Sequence, residues 1–214
     1  MDPAITTAGP LPPPRRGASP EATRARIEEA AERLFRTLGY QKTAVADIAR
    51  ELGMSPANIY RFYPSKSAIN EAIAARMLAG VQTESWEIAR GPGPAPERLR
   101  TLLMRLHQRH VALFFQERRL HDMVSAAMAE HWDVIKRFIN GIGEAIRHVL
   151  VEGMEAGDFA RRDPETTEMA VRQATMAFLH PLLIAECLLR DRDEAVMAAQ
   201  FEEVIRLVLR GLRL

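Results

Sequence analysis

The chain has 214 residues, 47% of them hydrophobic and 27% charged, with a net charge of +1. That is ample for a buried core in one large domain or two small ones, and the balance is that of an ordinary soluble globular protein. The single cysteine, Cys187, excludes an intrachain disulfide framework and fits a reducing cytoplasm, so a cytoplasmic protein is expected.

Residues 1–19 are rich in Pro, Gly, Ala and Thr and read as a disordered tail. The tail lacks a basic start followed by an apolar core, so no secretory leader is expected. Arg15 and Arg16 close it, either as solvated charges or as a basic arm toward a phosphate or the minor groove. Pro20–Leu38 is predicted as a helix, with Ile27, Ala30, Ala31, Leu34, Phe35 and Leu38 as its apolar stripe and Gly39 as its stop.

The stretch Thr43–Lys66, TAVADIARELGMSPANIYRFYPSK, carries the most information. Val45, Ile48, Ala49 and Leu52 fall at i, i+3, i+4 and i+7, one apolar face of a short helix that Gly53 ends. Ser55 can cap the next helix, Pro56 suits its first turn, and Pro64 limits it to about two turns, Pro56–Phe62. Helix, glycine turn and capped helix is the helix-turn-helix pattern, whose second helix enters the DNA major groove. Spacing alone also allows an ordinary helical hairpin in a bundle. Residues 15–66 hold ten basic and six acidic side chains, an excess of four positive charges in a chain whose total is +1. A basic front is expected of the end that meets phosphate.

Within Arg26–Met77, the run LFRTLGYQKTAVADIARELGMSPANIYRFYPSKSAI resembles the DNA-binding domain of tetracycline-repressor-type (TetR) transcriptional regulators. The match lies in Gly-Tyr before a Thr, Ile-Ala-Arg-x-x-Gly, Met-Ser, Ile-Tyr and an aromatic-Pro-Ser-Lys end; Tyr63 stands where the family more often has Phe. With Ile59 pointing inward, Pro56, Ala57, Asn58 and Arg61 are expected to face the groove. Asn58 suits adenine, Arg61 guanine or phosphate, and Pro56 or Ala57 a thymine methyl. The resemblance implies that the Tyr60 hydroxyl and the Lys66 ammonium meet backbone phosphate. Thr43, at the expected start of the second helix, offers a hydroxyl and free N–H groups to another phosphate, or simply a cap. Tyr63 reads as a packing residue.

A fourth helix is predicted over Lys66–Ala79, capped by Ser65, with Trp86 beyond it and a break at GPGPAP, residues 91–96. Further helices are predicted over Glu97–Glu117, Arg119–Glu130, Asp133–Ala156, Asp163–Arg190 and Asp193–Leu212, with Asp163 and Pro164 as an N-cap and first-turn pair. His180–Pro181 marks a kink, because Pro181 removes a backbone bond. The apolar run Phe178–Leu189 is interrupted by His180, Pro181 and Glu186 and is too short to span a bilayer, so no membrane partner is expected. No segment alternates convincingly as a strand. The expected class is all-α, with a tail at 1–19, a helix-turn-helix domain at 20–66 and a regulatory domain at 67–214.

The resemblance implies a small-molecule pocket in the C-terminal helices and a homodimer through the last two. Those last two helices are apolar over most of their girth, which calls for burial on two sides. A two-fold dimer reads a pseudo-palindromic stretch of double-stranded DNA. Pocket candidates are Trp86, Met104, His107, Phe114, Met123, Met128, Trp132, Phe138 and Phe178, adaptable Met and aromatic residues that can equally fill a core. His107 and His110 lie at i and i+3 without a convincing third ligand, so neither metal nor cofactor is expected. The leading expectation is a ligand-released repressor, followed by a DNA-binding dimer with a fully packed C-terminal part. A helical-bundle enzyme is disfavoured by the lack of a nucleophile–base set or paired Glu-x-x-His motifs.

Overall fold

Ser19 opens the first helix, its hydroxyl accepting from the Ala22 N–H at 3.2 Å. The computed structural model describes residues 19–116, 132–191 and 193–213. These residues form helices and turns without a strand. In chain order the helices are α1 (Pro20–Leu38), α2 (Val45–Glu51), α3 (Pro56–Tyr60), α4 (Lys66–Ala89) and α5 (Ala95–Gln116). They continue as α6 (Trp132–Ala156), α7 (Pro164–Leu179), α8 (Pro181–Asp191) and α9 (Glu194–Gly211). The helix expected over Arg119–Glu130, and Arg15 and Arg16, lie outside the described residues.

The apolar stripe of α1 becomes the wall of a first core. Ile27, Ala30, Ala31 and Phe35 meet Ile48, Ala49 and Leu52 of the α2 region, Ile59 of α3, and Ile69 and Ile73 of α4. Each fully buried Ile or Phe stabilises this small unit by about 1.5–3 kcal/mol. Gly53, at φ 63, makes the turn between α2 and α3, where a Cβ would be strained. Arg33 of α1 pairs with Glu51 of α2 at 3.2 Å, and Arg76 of α4 pairs with Glu28 and Glu32 of α1.

The second core lies between α4, α5, α6, α7 and α9. Leu99, Leu102, Leu103 and Leu106 of α5 pack on Ile142, Ile146, Val149 and Leu150 of α6, on Val171 of α7, and on Phe201 and Ile205 of α9. Helix α4 runs ten residues past its predicted end at Ala79 and carries Trp86. Continuing through Gly80 costs about 1 kcal/mol relative to alanine. Packing of Val81, Trp86, Ile88 and Ala89 against the second core outweighs it. The GPGPAP break is therefore a turn within one core, since Ala89 before it and Ala95 inside it are both buried there. Arg98 ties the turn, donating to the Ala89 carbonyl at 2.5 Å and to Glu152 at 2.6 Å.

The predicted Asp163–Arg190 helix is two helices. Asp163 caps α7, accepting from the Thr166 N–H at 2.8 Å. At His180 the backbone turns extended, with ψ 120, and Pro181 begins α8. The kink is thus a full break in the helix.

Candidate functional site

Helix α3 is set by one cap and one buried side chain. Ser55 accepts from the Asn58 N–H at 3.3 Å, and Ile59 is fully buried beneath. Pro56, Ala57, Tyr60 and Arg61 are then exposed and Asn58 is half-buried. At about 100° per residue, the four exposed side chains occupy one side of α3 and its C-terminal turn, with Asn58 at the margin. The helix ends at Tyr60, two residues before the expected end, and Arg61 and Phe62 lie in the following turn.

Thr43 departs from expectation. Helix α2 begins at Val45 with Ala44 as its N-cap, so Thr43 precedes the helix. It is 2% exposed, and its hydroxyl donates to the Gly39 carbonyl at 2.9 Å. That carbonyl lies at the end of α1, where no intrahelical donor follows. The hydroxyl closes the α1–α2 turn and is not presented to a phosphate. Replacing Thr43 by Val should therefore cost about 1–2 kcal/mol of stability, by stranding the Gly39 carbonyl. The salt dependence of DNA binding by the folded variant should stay unchanged; a slope reduced by one phosphate would reinstate the hydroxyl as a contact.

Lys66 opens α4 half-buried. Its ammonium donates to the Tyr40 carbonyl at 2.8 Å and stands 4.4 Å over the Tyr40 ring. An ammonium has three donors, so this bond orients the charge without exhausting it. Tyr63 is buried, as its packing role requires, and its hydroxyl donates to Glu28 at 2.5 Å. Burial first, then the Glu28 carboxylate, raises the phenol well above its ordinary pKa, so it stays a donor. Through Glu28 and Arg76 this bond joins α1, the turn after α3, and α4.

Five of the nine pocket candidates have described side chains: Trp86, Met104, Phe138 and Phe178 pack on the second core, and the His107 ring meets Phe178 and Phe201 there. Trp86 faces His148, with ring centroids 5.6 Å apart, and carries the Arg90 guanidinium 4.4 Å over its ring. It also lines an open groove along α4 with Gln82 and Thr83. Met104 and Phe138 pack half-buried on the second core. Phe178 stacks on Phe201, with centroids 4.9 Å apart. His107 is 1% exposed, with Nδ1 2.8 Å from the Phe178 carbonyl. Met123 and Met128 lie outside the described residues, as do the side chains of Phe114 and Trp132.

Beside His107 stand His110, its i+3 neighbour on α5, and His180, which the sequence leaves apart from both. A carbonyl only accepts, so Nδ1 of His107 carries the proton. Burial lowers the His107 pKa, and lowers that of His110 to about 4, with His107 and His180 adding to the latter. No spacing rule joins His180 to α5, because the contact is made through the helix break. Among the described residues no group of three or more His, Cys, Asp or Glu is placed to hold a metal ion. Among them, too, no helix is long and apolar enough to cross a membrane.

Residues 27–73 match the family model of bacterial regulatory proteins, tetR family. Residues 95–205 match that of the tetracyclin repressor-like C-terminal domain. A TetR-family transcriptional regulator from Pectobacterium atrosepticum superposes with a TM-score of 0.71 at 18% identity, over 92% of this chain and 97% of that one. FadR from Thermus thermophilus, a TetR-family transcriptional repressor in complex with lauroyl-CoA, gives 0.61 at 24% identity over 88% and 94%. FadR from Bacillus subtilis, in complex with stearoyl-CoA, gives 0.62 at 17% identity over 87% and 98%. At these identities the structural likeness carries the fold alone. No curated protein matches the sequence. The C-terminal match alone spans more than half of the chain, and with the helix-turn-helix match before it this chain belongs to the TetR family of DNA-binding transcriptional regulators.

Proposed function

We propose that the protein is a homodimeric repressor that a small apolar or amphipathic effector releases from a pseudo-palindromic operator. The DNA-binding unit is residues 20–66 together with the first turns of α4, and the remainder to 214 is regulatory. The observation that carries the reading is the outward set Pro56, Ala57, Tyr60 and Arg61, with Asn58 at its margin, held over a buried Ile59. Met169, Met176, Leu182, Leu183, Val196 and Leu207 are exposed on α7, α8 and α9, and an apolar surface of this kind supports a dimer through the last helices. The acyl-CoA complexes of the FadR proteins support an effector with a long apolar part. A second reading, a dimer whose C-terminal part senses nothing, is favoured by the stacking of Phe178 on Phe201.

Selection of bound genomic fragments tests the DNA reading, and a salt series on the fragment obtained tests the residues. Lys66→Met keeps the stem over the Tyr40 ring and removes the charge. It should weaken every sequence alike and lower the salt slope by about one phosphate. Asn58→Ala should instead relax preference at one base pair per half-site, by about 1–3 kcal/mol. Uniform loss across sequences would remove Asn58 from base reading.

A further inference from the structure

We propose that His107, His110 and His180 form the polar anchor of an effector site for a neutral molecule bearing an alcohol or amide donor on an apolar body. The proposal rests on the reading of the C-terminal helices as effector-binding. Three ring nitrogens, His107 Nε2, His110 Nδ1 and His180 Nδ1, are buried with no hydrogen-bond partner. Buried polar atoms ordinarily have partners, and leaving one without a partner carries its full desolvation cost. All three belong to the contact between α5 and the break that joins α7 to α8. At that break Pro181 has no N–H to offer, and the final carbonyls of α7 lack downstream donors. The bond from His107 Nδ1 to the Phe178 carbonyl satisfies one of them and fixes the tautomer. Its Nε2 is therefore a lone pair facing the interior, and the complement of a lone pair is a donor.

The surroundings are apolar. The His107 ring lies 5.0 Å from the Phe201 ring and 6.2 Å from that of Phe178. Val111, Ile184 and Met197 make a small cluster of their own against Phe178, apart from the second core. A few polar atoms set in apolar walls is how small-molecule sites are built. Charge decides between a neutral donor and an anion. Burial keeps His107 and His110 neutral at neutral pH, and the charged side chain acting on His107 is the Glu194 carboxylate of α9. An anionic ligand would have to charge a buried imidazole and approach that carboxylate. A neutral donor does neither.

The test uses the whole protein and two isomeric probes, 1-decanol and 1-methoxynonane, which differ in possessing a hydroxyl proton. Calorimetry should show decanol binding about tenfold more tightly. In nitrogen-15 spectra of labelled histidine, decanol should move the His107 Nε2 signal from its unbonded position, and the ether should leave it in place. Titration in two buffers of different ionisation heat should show no proton uptake at neutral pH. The His107→Leu variant should bind both probes alike, with His110→Leu as the second variant should the first fail to fold. Equal affinity of the wild type for both probes would overturn the proposal, because ordered water would then be serving the nitrogens. Failure of alcohols and amides to bind from hexyl to tetradecyl would overturn it too. So would tighter binding of decanoate with uptake of a proton, which would make this an anion site. Donor-dependent binding supports the anchor whether or not operator is released, and release measured separately bears on the effector reading alone.

Discussion

Replacing Leu207 by Glu should leave the chain folded, make it sediment as a monomer, and lower operator affinity by about a hundredfold or more. Leu207 is 59% exposed in the single chain, so a carboxylate there stays in water and costs the monomer little. In a dimer through α7–α9 the same carboxylate would be buried without a partner. Loss of the dimer separates the two recognition helices, and each half-site is then bound alone. The neighbouring Val208 is the control. It packs half-buried against its own second core, so Val208→Glu should unfold the chain itself. Sedimentation together with thermal melting separates the two outcomes. A Leu207→Glu protein that stays dimeric with full operator affinity would place the interface elsewhere.

Gly153→Ala should lower stability by about 3 kcal/mol, or roughly 6–12 °C in melting temperature, without altering which DNA is bound. A Cβ built at Gly153 would lie 2.3 Å from Cδ2 of Phe159 and 2.8 Å from the Ala95 Cβ. Neither neighbour has room to yield. Phe159 is buried at 3% exposure, and Ala95 begins α5 with its N–H held by Asp158 at 3.1 Å. A compensating change identifies the cause. Phe159→Leu is destabilising alone, but in the Gly153→Ala background it should recover about 1–2 kcal/mol, because it removes the clashing ring. Simple additivity in that cycle would mean that the backbone of α6 moves instead. Gly141 is the milder comparison, since its added Cβ would meet the end of the Gln82 side chain, which can swing aside.

The local signals in the sequence fared well because they act over three or four residues. Ser55, Ser65 and Asp163 each accept the backbone N–H three residues on, the bond their side chains are shaped to make. The inward Ile59 and the outward Pro56, Ala57 and Arg61 follow from helical period alone. So did the all-α class and the family, whose motif is itself a local pattern of caps, turn and apolar positions. What tertiary structure decided concerns partners far along the chain. Thr43 was legible as a hydroxyl near a helix start, but the stranded carbonyl of Gly39 turned it inward. The predicted end of α4 at Ala79 gave way because packing on the second core outweighed the weak propensity of Gly80. His107 found the Phe178 carbonyl 71 residues away only because α7 breaks at His180. Periodicity marked the last helices as apolar all round, yet only packing could choose which residues face the chain's own core. Val208 took the inside and Leu207 the outside, since one side of α9 is covered by α5 and α7 while the other is left to solvent or to a second copy.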